Sequence, residues 1–292
     1  MRQRSISRGI FLKKMIPYLF VAPAIIIFVL YMFIPLLQAF IMSFYDWSIA
    51  GKEFIGLTNY KNLFQDKLFK TTIINTIVST LAVPFKTVLA LVIAALLSNV
   101  RHFQGFYRST LFFPYILSGV VVGLIWQMMF SVDSGFINMI LSFFGLSQKW
   151  LIESDRAMWV LWVVGTWQGL GSNLILFLAG IKGISTELYE AASMDGANSL
   201  QQFVHITIPC LKPVTIFVVT MLIIGSFKIF DLAYIMTGGG PGDSTRTLVQ
   251  FIYDTAFERF KMGYASAAAY IFFVILIILT LLQKKILVGG DK

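Results

Sequence analysis

This sequence predicts an all-α membrane protein with six transmembrane helices and one structured cytoplasmic loop, on three observations. Of 292 residues, 58% are hydrophobic and 13% charged, whereas a soluble domain carries roughly a quarter charged residues. Six apolar runs are each long enough to cross a bilayer core, which takes about twenty residues of helix. Between the fourth and fifth runs lies a polar island, Lys182 to Lys212, holding acids, amides and turn-forming residues.

The N-terminal segment, residues 1–17, holds Arg2, Arg4, Arg8, Lys13 and Lys14 with no acid. It resembles the start of a secretory signal, but the apolar run that follows is longer than a signal core and shows no cleavage site. It is therefore expected to lie in the cytoplasm ahead of an uncleaved first span. The six-span body, residues 18–285, then contains the spans Tyr18–Ser43, Thr72–Ser98, Tyr107–Phe130, Ala157–Ile181, Pro213–Met236 and Gly263–Leu282, and residues 286–292 form a cytoplasmic tail. Pro23, Pro35, Pro84 and Pro114 fall within or near these spans, where neighbouring groups can satisfy the carbonyls that proline frees.

Sidedness follows from Lys and Arg. With the N-terminus inside, the cytoplasmic segments hold 12 basic residues and the longer outer segments hold 9, the bias expected of a cytoplasmic side. Both termini and the polar island then face the cytoplasm. The net charge of +9 does not point to nucleic acid, because the basic residues sit at the ends of apolar runs and form no stripe with aromatic partners. Cys210 is the only cysteine, so an internal disulfide is excluded.

The island is expected to fold as helix–turn–helix. Ser185 or Thr186 caps a helix over Glu187–Met194. Asp195-Gly196 ends it, since glycine readily takes the left-handed conformation that follows a last turn. Asn198 or Ser199 caps a second short helix to about His205, closed by Pro209 and Pro213. Ala191 and Ala192 leave one face flat, and Glu190 supplies a charge to order the turn or meet a basic partner.

Glu190-Ala191-Ala192, three residues, Gly196, nine residues, then Ile206-x-Ile208-Pro209 resembles the signature loop of permease subunits in ATP-binding cassette importers, with Ile208 where that loop has leucine. The resemblance implies that residues 182–212 contain a coupling helix and that Glu190, Ala191, Ala192, Asp195 and Gly196 contact a separate ATPase. Further segments are similar to the carbohydrate branch, the maltose and glycerol-3-phosphate permeases: Glu187-Leu188-Tyr189, Met194-Asp195-Gly196-Ala197, Phe54-Ile55-Gly56-Leu57-Thr58-Asn59-Tyr60 and Thr237-Gly238-Gly239-Gly240-Pro241-Gly242. The resemblance implies a second homologous permease subunit, an ATPase dimer, an extracytoplasmic solute-binding protein and a sugar cargo. An amino acid or peptide cargo is the alternative.

Charged and amide groups within spans mark a path or a structural contact, because charge at mid-bilayer is costly. Lys228 and Asp231, three apart, are expected to share a helix face and either to pair structurally or to line the path, with Phe227 and Phe230 as stacking surfaces for a sugar. Gln168, Ser172 and Asn173 offer uncharged donors and acceptors suited to a polyol, or to helix–helix hydrogen bonds. Lys86, in the second span, either snorkels or meets an acid on a second subunit. The glycine run at 238–242 is expected to be a flexible outer turn. No catalytic set is present: His102 and His205 stand alone, and neither HExxH nor G-x-S-x-G occurs. Nothing matches the phosphate-binding G-x-x-x-x-G-K-[ST] loop, so ATP belongs to a partner and no cofactor or metal is expected here.

Overall fold

A computed structural model describes residues 17–98, 100, 102–283 and 285. The expected N-terminal segment before Pro17 and the tail 286–292 lie outside the described residues. The chain divides into two units, Met1–Leu63 with Thr255–Ile271, and Phe64–Asp254 with Phe272–Lys292.

In the first unit, α1 (Pro17–Met42) is the longest apolar element. At 1.5 Å per residue its 26 residues extend about 39 Å, more than a ~30 Å hydrocarbon core. Its large side chains are exposed almost throughout, as suits a helix facing lipid. A short hairpin follows, β1 (Tyr45–Ser48) antiparallel to β2 (Gly51–Phe54). The all-α expectation did not include it. Then comes α2 (Thr58–Gln65). Asn59 Nδ2 donates to the carbonyls of Ser43 (3.0 Å) and Tyr45 (2.9 Å), and the Tyr60 hydroxyl donates to Ser43 Oγ (2.7 Å). The two Asn59 bonds satisfy carbonyls just past the end of α1, and the Tyr60 bond holds the Ser43 side chain.

The second unit is built on two long helices, α3 (Lys67–Ser98) and α7 (Ser154–Lys182). Asp66 caps α3 by accepting from Leu68 N–H at 2.8 Å, so the helix starts five residues before the expected span. Ala90 and Ala94 are fully buried where α3 meets Leu174 and Phe177 of α7. Between helices in lipid there is little hydrophobic driving force, so close approach through small residues supplies the packing.

Between them lie α4 (Gln104–Ile116) and α5 (Gly119–Met129), bent by 96° at the intervening break, and the short α6 (Phe136–Ser142). The third expected span is therefore not one straight helix. Pro114 sits in the last turn of α4, Leu117 is extended, and Ser118 restarts the chain by accepting from Val120 N–H (3.3 Å).

After α7 come α8 (Thr186–Met194) and α9 (Ser199–Cys210), which meets α10 (Lys212–Phe227) at 68°. The fifth expected span, Pro213–Met236, is also interrupted. The helix stops at Phe227 and resumes as α11 (Asp231–Thr237). Hydroxyls satisfy the freed carbonyls: Ser79 Oγ donates to Ser226 O (3.0 Å) and Thr247 Oγ1 to Ile229 O (2.9 Å). Helix α12 (Leu248–Tyr253) and the last long helix, α13 (Met262–Gln283), complete the chain. Among the described residues four helices can cross a membrane unbroken, or up to six spans form if each bent pair counts as one.

Three intrahelical prolines each follow an irregular turn by two residues. Pro35 follows a π-turn at Val29–Phe33, Pro84 a 3-10 turn at Thr80–Ala82, and Pro209 a π-turn at Phe203–Thr207. Proline lacks the N–H and crowds the carbonyl four residues back. A local change of pitch relieves both without ending the helix. This is why α9 runs to Cys210, past the expected close near His205.

Candidate functional site

Two sites stand out in the second unit: the elbow formed by α8 and α9, and a cavity between α3, α7 and α10.

The elbow follows from its sequence in detail. Ser185 caps α8 by accepting from Glu187 N–H (3.3 Å). At the other end Gly196 takes φ +83°, and two bonds close the turn: Gly196 N–H to Ser193 O (3.1 Å) and Ala197 N–H to Ala192 O (2.9 Å). This is the Schellman arrangement, which needs a left-handed residue after the last turn. A capping box starts α9: Asn198 Oδ1 accepts from Gln201 N–H (2.9 Å), and Gln201 Oε1 accepts from Asn198 N–H (2.8 Å). The Tyr189 and Thr207 hydroxyls bond at 2.9 Å, and Gln202 Nε2 donates to Ser193 Oγ at 2.8 Å, so α8 is bolted to α9.

The turn is thus ordered without Glu190. That carboxylate has no hydrogen bond or ion pair among the described residues and is exposed, as are Ala191, Asp195 and Gly196; Ala192 is half-buried. A cleft of about 270 Å³ lies between the two arms, lined by Ala192, Asp195, Gly196, Gln201 and His205 among others. Two residues that sequence reasoning missed stand out. Met194 is 89% exposed and Leu200 70% exposed, bare apolar side chains on either side of the turn. Their signal was present, as large apolar residues flanking the motif in a polar island.

The cavity holds about 380 Å³. Gln168, Ser172 and Asn173 all line it, together with Lys86, Tyr115 and Trp162. Gln168 Nε2 donates to Leu117 O (3.2 Å), at the break between α4 and α5. Asn173 Nδ2 and Ser172 Oγ both donate to Gly169 O (2.9 and 3.0 Å). Trp162, Gly165, Gly169 and Ser172 recur at helical spacing, so one face of α7 forms this wall; that spacing would have found Trp162 and Gly165 from the sequence.

The other expected path residues lie elsewhere. Phe227 is buried, with 4% of its surface exposed. The Phe230 ring stacks on Tyr234 (centroids 5.2 Å apart) and also meets Tyr253 (5.1 Å). Lys228 and Asp231 are both exposed and do not pair. Their expected shared helix face does not exist, because α10 ends before Lys228 and α11 begins at Asp231. Asp231 instead abuts the start of α5: a Cβ on Gly119 would lie 2.8 Å from Asp231 Oδ2. Neither residue lines the cavity.

The glycine run is not the open flexible turn expected. Thr245 Oγ1 donates to Gly240 O (2.7 Å), Asn75 Nδ2 donates to the carbonyls of Asp243 (2.7 Å) and Arg246 (3.0 Å), and Arg246 forms ion pairs with Asp243 (2.8 Å) and Asp254 (2.6 Å). Among the described residues no group of three or more His, Cys, Asp or Glu is placed to hold a metal.

Comparison with known proteins agrees with this architecture. The family described as "Binding-protein-dependent transport system inner membrane component" matches residues 86–287. The chain is 37% identical over 287 residues to the "Probable ABC transporter permease protein YurN" of Bacillus subtilis (strain 168), covering 96% of this chain and 98% of that one. It is 34% identical over 283 residues to the "Arabinooligosaccharides transport system permease protein AraP" of the same organism, covering 94% and 89%. Its fold matches a chain of a bacterial ABC transporter involved in the import of the acidic polysaccharide alginate, with a TM-score of 0.86, 22% identity and 99% of both chains covered.

These relatives are transport components rather than enzymes. The chain belongs to the binding-protein-dependent transport system inner membrane component family and is a membrane-embedded permease subunit of an ABC transporter.

Proposed function

We propose that this chain forms half of the path for a sugar or related polyol in a binding-protein-dependent importer of the bacterial cytoplasmic membrane, with both termini cytoplasmic. The carrying observation is that Gln168, Ser172 and Asn173 converge on one cavity. Their amide and hydroxyl oxygens suit a cargo covered with hydroxyl groups, because buried polar groups specify the substrate groups that pair with them. The relative named for arabinooligosaccharide transport supports the same cargo class. Lys228, Phe230 and Asp231, at the break between α10 and α11, are further candidates for contact with cargo on its way.

The second half of the path would come from a homologous permease subunit. An ATPase dimer would dock under the elbow, receiving Glu190, Ala191, Ala192, Asp195 and Gly196, and a solute-binding protein would deliver cargo from outside. ATP would stay with the ATPase. The elbow suits this role because its two arms are joined by side-chain bonds, so a displacement at Gly196 moves α8 and α9 together.

The test is reconstitution of this chain with its partner permease, its ATPase and its binding protein in proteoliposomes. Neutral and acidic oligosaccharides, polyols, amino acids and short peptides are offered in turn, and uptake and ATP hydrolysis are measured. The expected result is uptake and stimulated hydrolysis with a sugar. Stimulation confined to amino acids or peptides overturns the proposal.

A further inference from the structure

We propose that the cargo carries a negative charge, a sugar carboxylate or phosphate ester, which the Lys86 ammonium receives inside the cavity; this rests on the sugar reading and narrows it. Lys86 lies on α3, two residues after Pro84, and is half-buried. It lines the same cavity as Gln168, Ser172 and Asn173. A Cβ on Gly165 would lie 3.6 Å from Lys86 Nζ. The ammonium therefore stands against the bare backbone of α7, beside Leu232, whose Cδ1 is equally close to that point.

No Asp or Glu lines this cavity, and Lys86 has no hydrogen bond or ion pair among the described residues. Ionisable groups inside a membrane are costly and ordinarily find a partner, and the described residues supply none. The donors of Gln168, Asn173, Ser79 and Ser172 are neutral, and each group already makes one bond. The Gln168 and Asn173 amide nitrogens and the Ser79 and Ser172 hydroxyls all donate to backbone carbonyls. The Lys86 ammonium stays without an acceptor, and the Tyr115 hydroxyl, which also lines the cavity, has no hydrogen-bond partner among the described residues. The amide oxygens of Gln168 and Asn173 remain as acceptors for sugar hydroxyls. A cavity lined by a free cation, neutral amide and hydroxyl groups and no carboxylate complements an anionic, hydroxyl-bearing molecule. A lysine ammonium is a point charge, so carboxylate and phosphate suit it alike.

The experiment uses the intact importer in proteoliposomes with its binding protein. The probes are digalacturonate, diglucuronate, glucose 6-phosphate and glycerol 3-phosphate, each beside its carboxyl-reduced or dephosphorylated neutral counterpart, with an amino acid panel in parallel. At least one anion should enter ten-fold or more faster than its neutral counterpart, and the uronate and phosphate arms tell which group is recognised. Lys86→Gln should cut that uptake at least ten-fold, while Lys86→Arg stays within three-fold. Uptake confined to neutral sugars overturns this inference and leaves the sugar reading standing. Uptake confined to amino acids overturns both. Unchanged anion uptake by Lys86→Gln overturns it, as does loss of the second permease from the Lys86→Gln complex, because the charge is then held by a subunit contact rather than by cargo.

Discussion

Gly196→Val tests whether the elbow must keep its shape to transmit force. Gly196 has φ +83°, and a Cβ there would meet nothing within 4 Å. The penalty is therefore backbone strain and not a clash with neighbours. A left-handed conformation costs an L-residue about 1–2 kcal/mol, and a β-branched side chain tolerates it worst. A cost of that size changes a two-state ratio by about 5–30-fold. The bonds between Tyr189 and Thr207 and between Gln202 and Ser193 should hold α8 against α9, so the subunit still inserts and co-purifies. The assay is cargo-stimulated ATP hydrolysis by the reconstituted complex, with co-purification of the ATPase as control. Stimulation should fall about 5–30-fold in Gly196→Val. Gly196→Asn adds a side chain of similar reach but accepts positive φ, so it should retain most of the rate. A normal rate in Gly196→Val, or equal loss in both variants, refutes the reasoning.

Two other outcomes follow from the same geometry. Met194→Asp should weaken capture of the ATPase subunit about ten-fold or more, since burying a methionine side chain contributes about 1.5–3 kcal/mol; unchanged capture in a titrated pull-down would remove Met194 from the docking surface. Asp231→Asn should lower transport while leaving assembly intact, and its effect on thermal stability should add to that of Lys228→Met within about 0.5 kcal/mol, as for independent sites; a larger coupling energy would restore the ion pair that the broken helix denies.

Spans defined by length and apolarity were legible because lipid demands both of them at once. The first, fourth and sixth expected spans lie within one to three residues of α1, α7 and α13 at each end. The elbow was legible too, because capping and turn residues act locally: Ser185, Gly196 and Asn198 do in the structure what their chemistry announces. The breaks at Leu117–Ser118 and Lys228–Phe230 were not. An apolar window averages over them, and one hydroxyl that makes the second break tolerable comes from far away in sequence, Ser79 being 147 residues from Ser226. The same distance effect misled the Lys228–Asp231 spacing, which means one face only if the helix continues. Lys86 was visible as a charge within a span, but only the fold brings it to the wall that carries Gln168 and Asn173.

The cavity and the elbow are joined by two helical arms of equal length. Asn173 stands nine residues before Lys182 on α7, and Met221 stands nine residues after Lys212 on α10. At 1.5 Å per residue each arm is about 14 Å of continuous helix. Both arms meet the elbow at a bend, Gly183 after α7 and the 68° turn between α9 and α10. A helix is stiff along its axis, whereas bends and breaks absorb changes of angle. Bends and breaks therefore sit where hinges are useful, at the elbow's two shoulders and at the α4–α5 and α10–α11 breaks, while α7 and α10 themselves stay regular. Force applied at the elbow would reach the cavity along both arms at once, shifting Asn173 and Met221 together. On the proposed reading, the elbow changes the cavity's shape without any contact between cargo and motor.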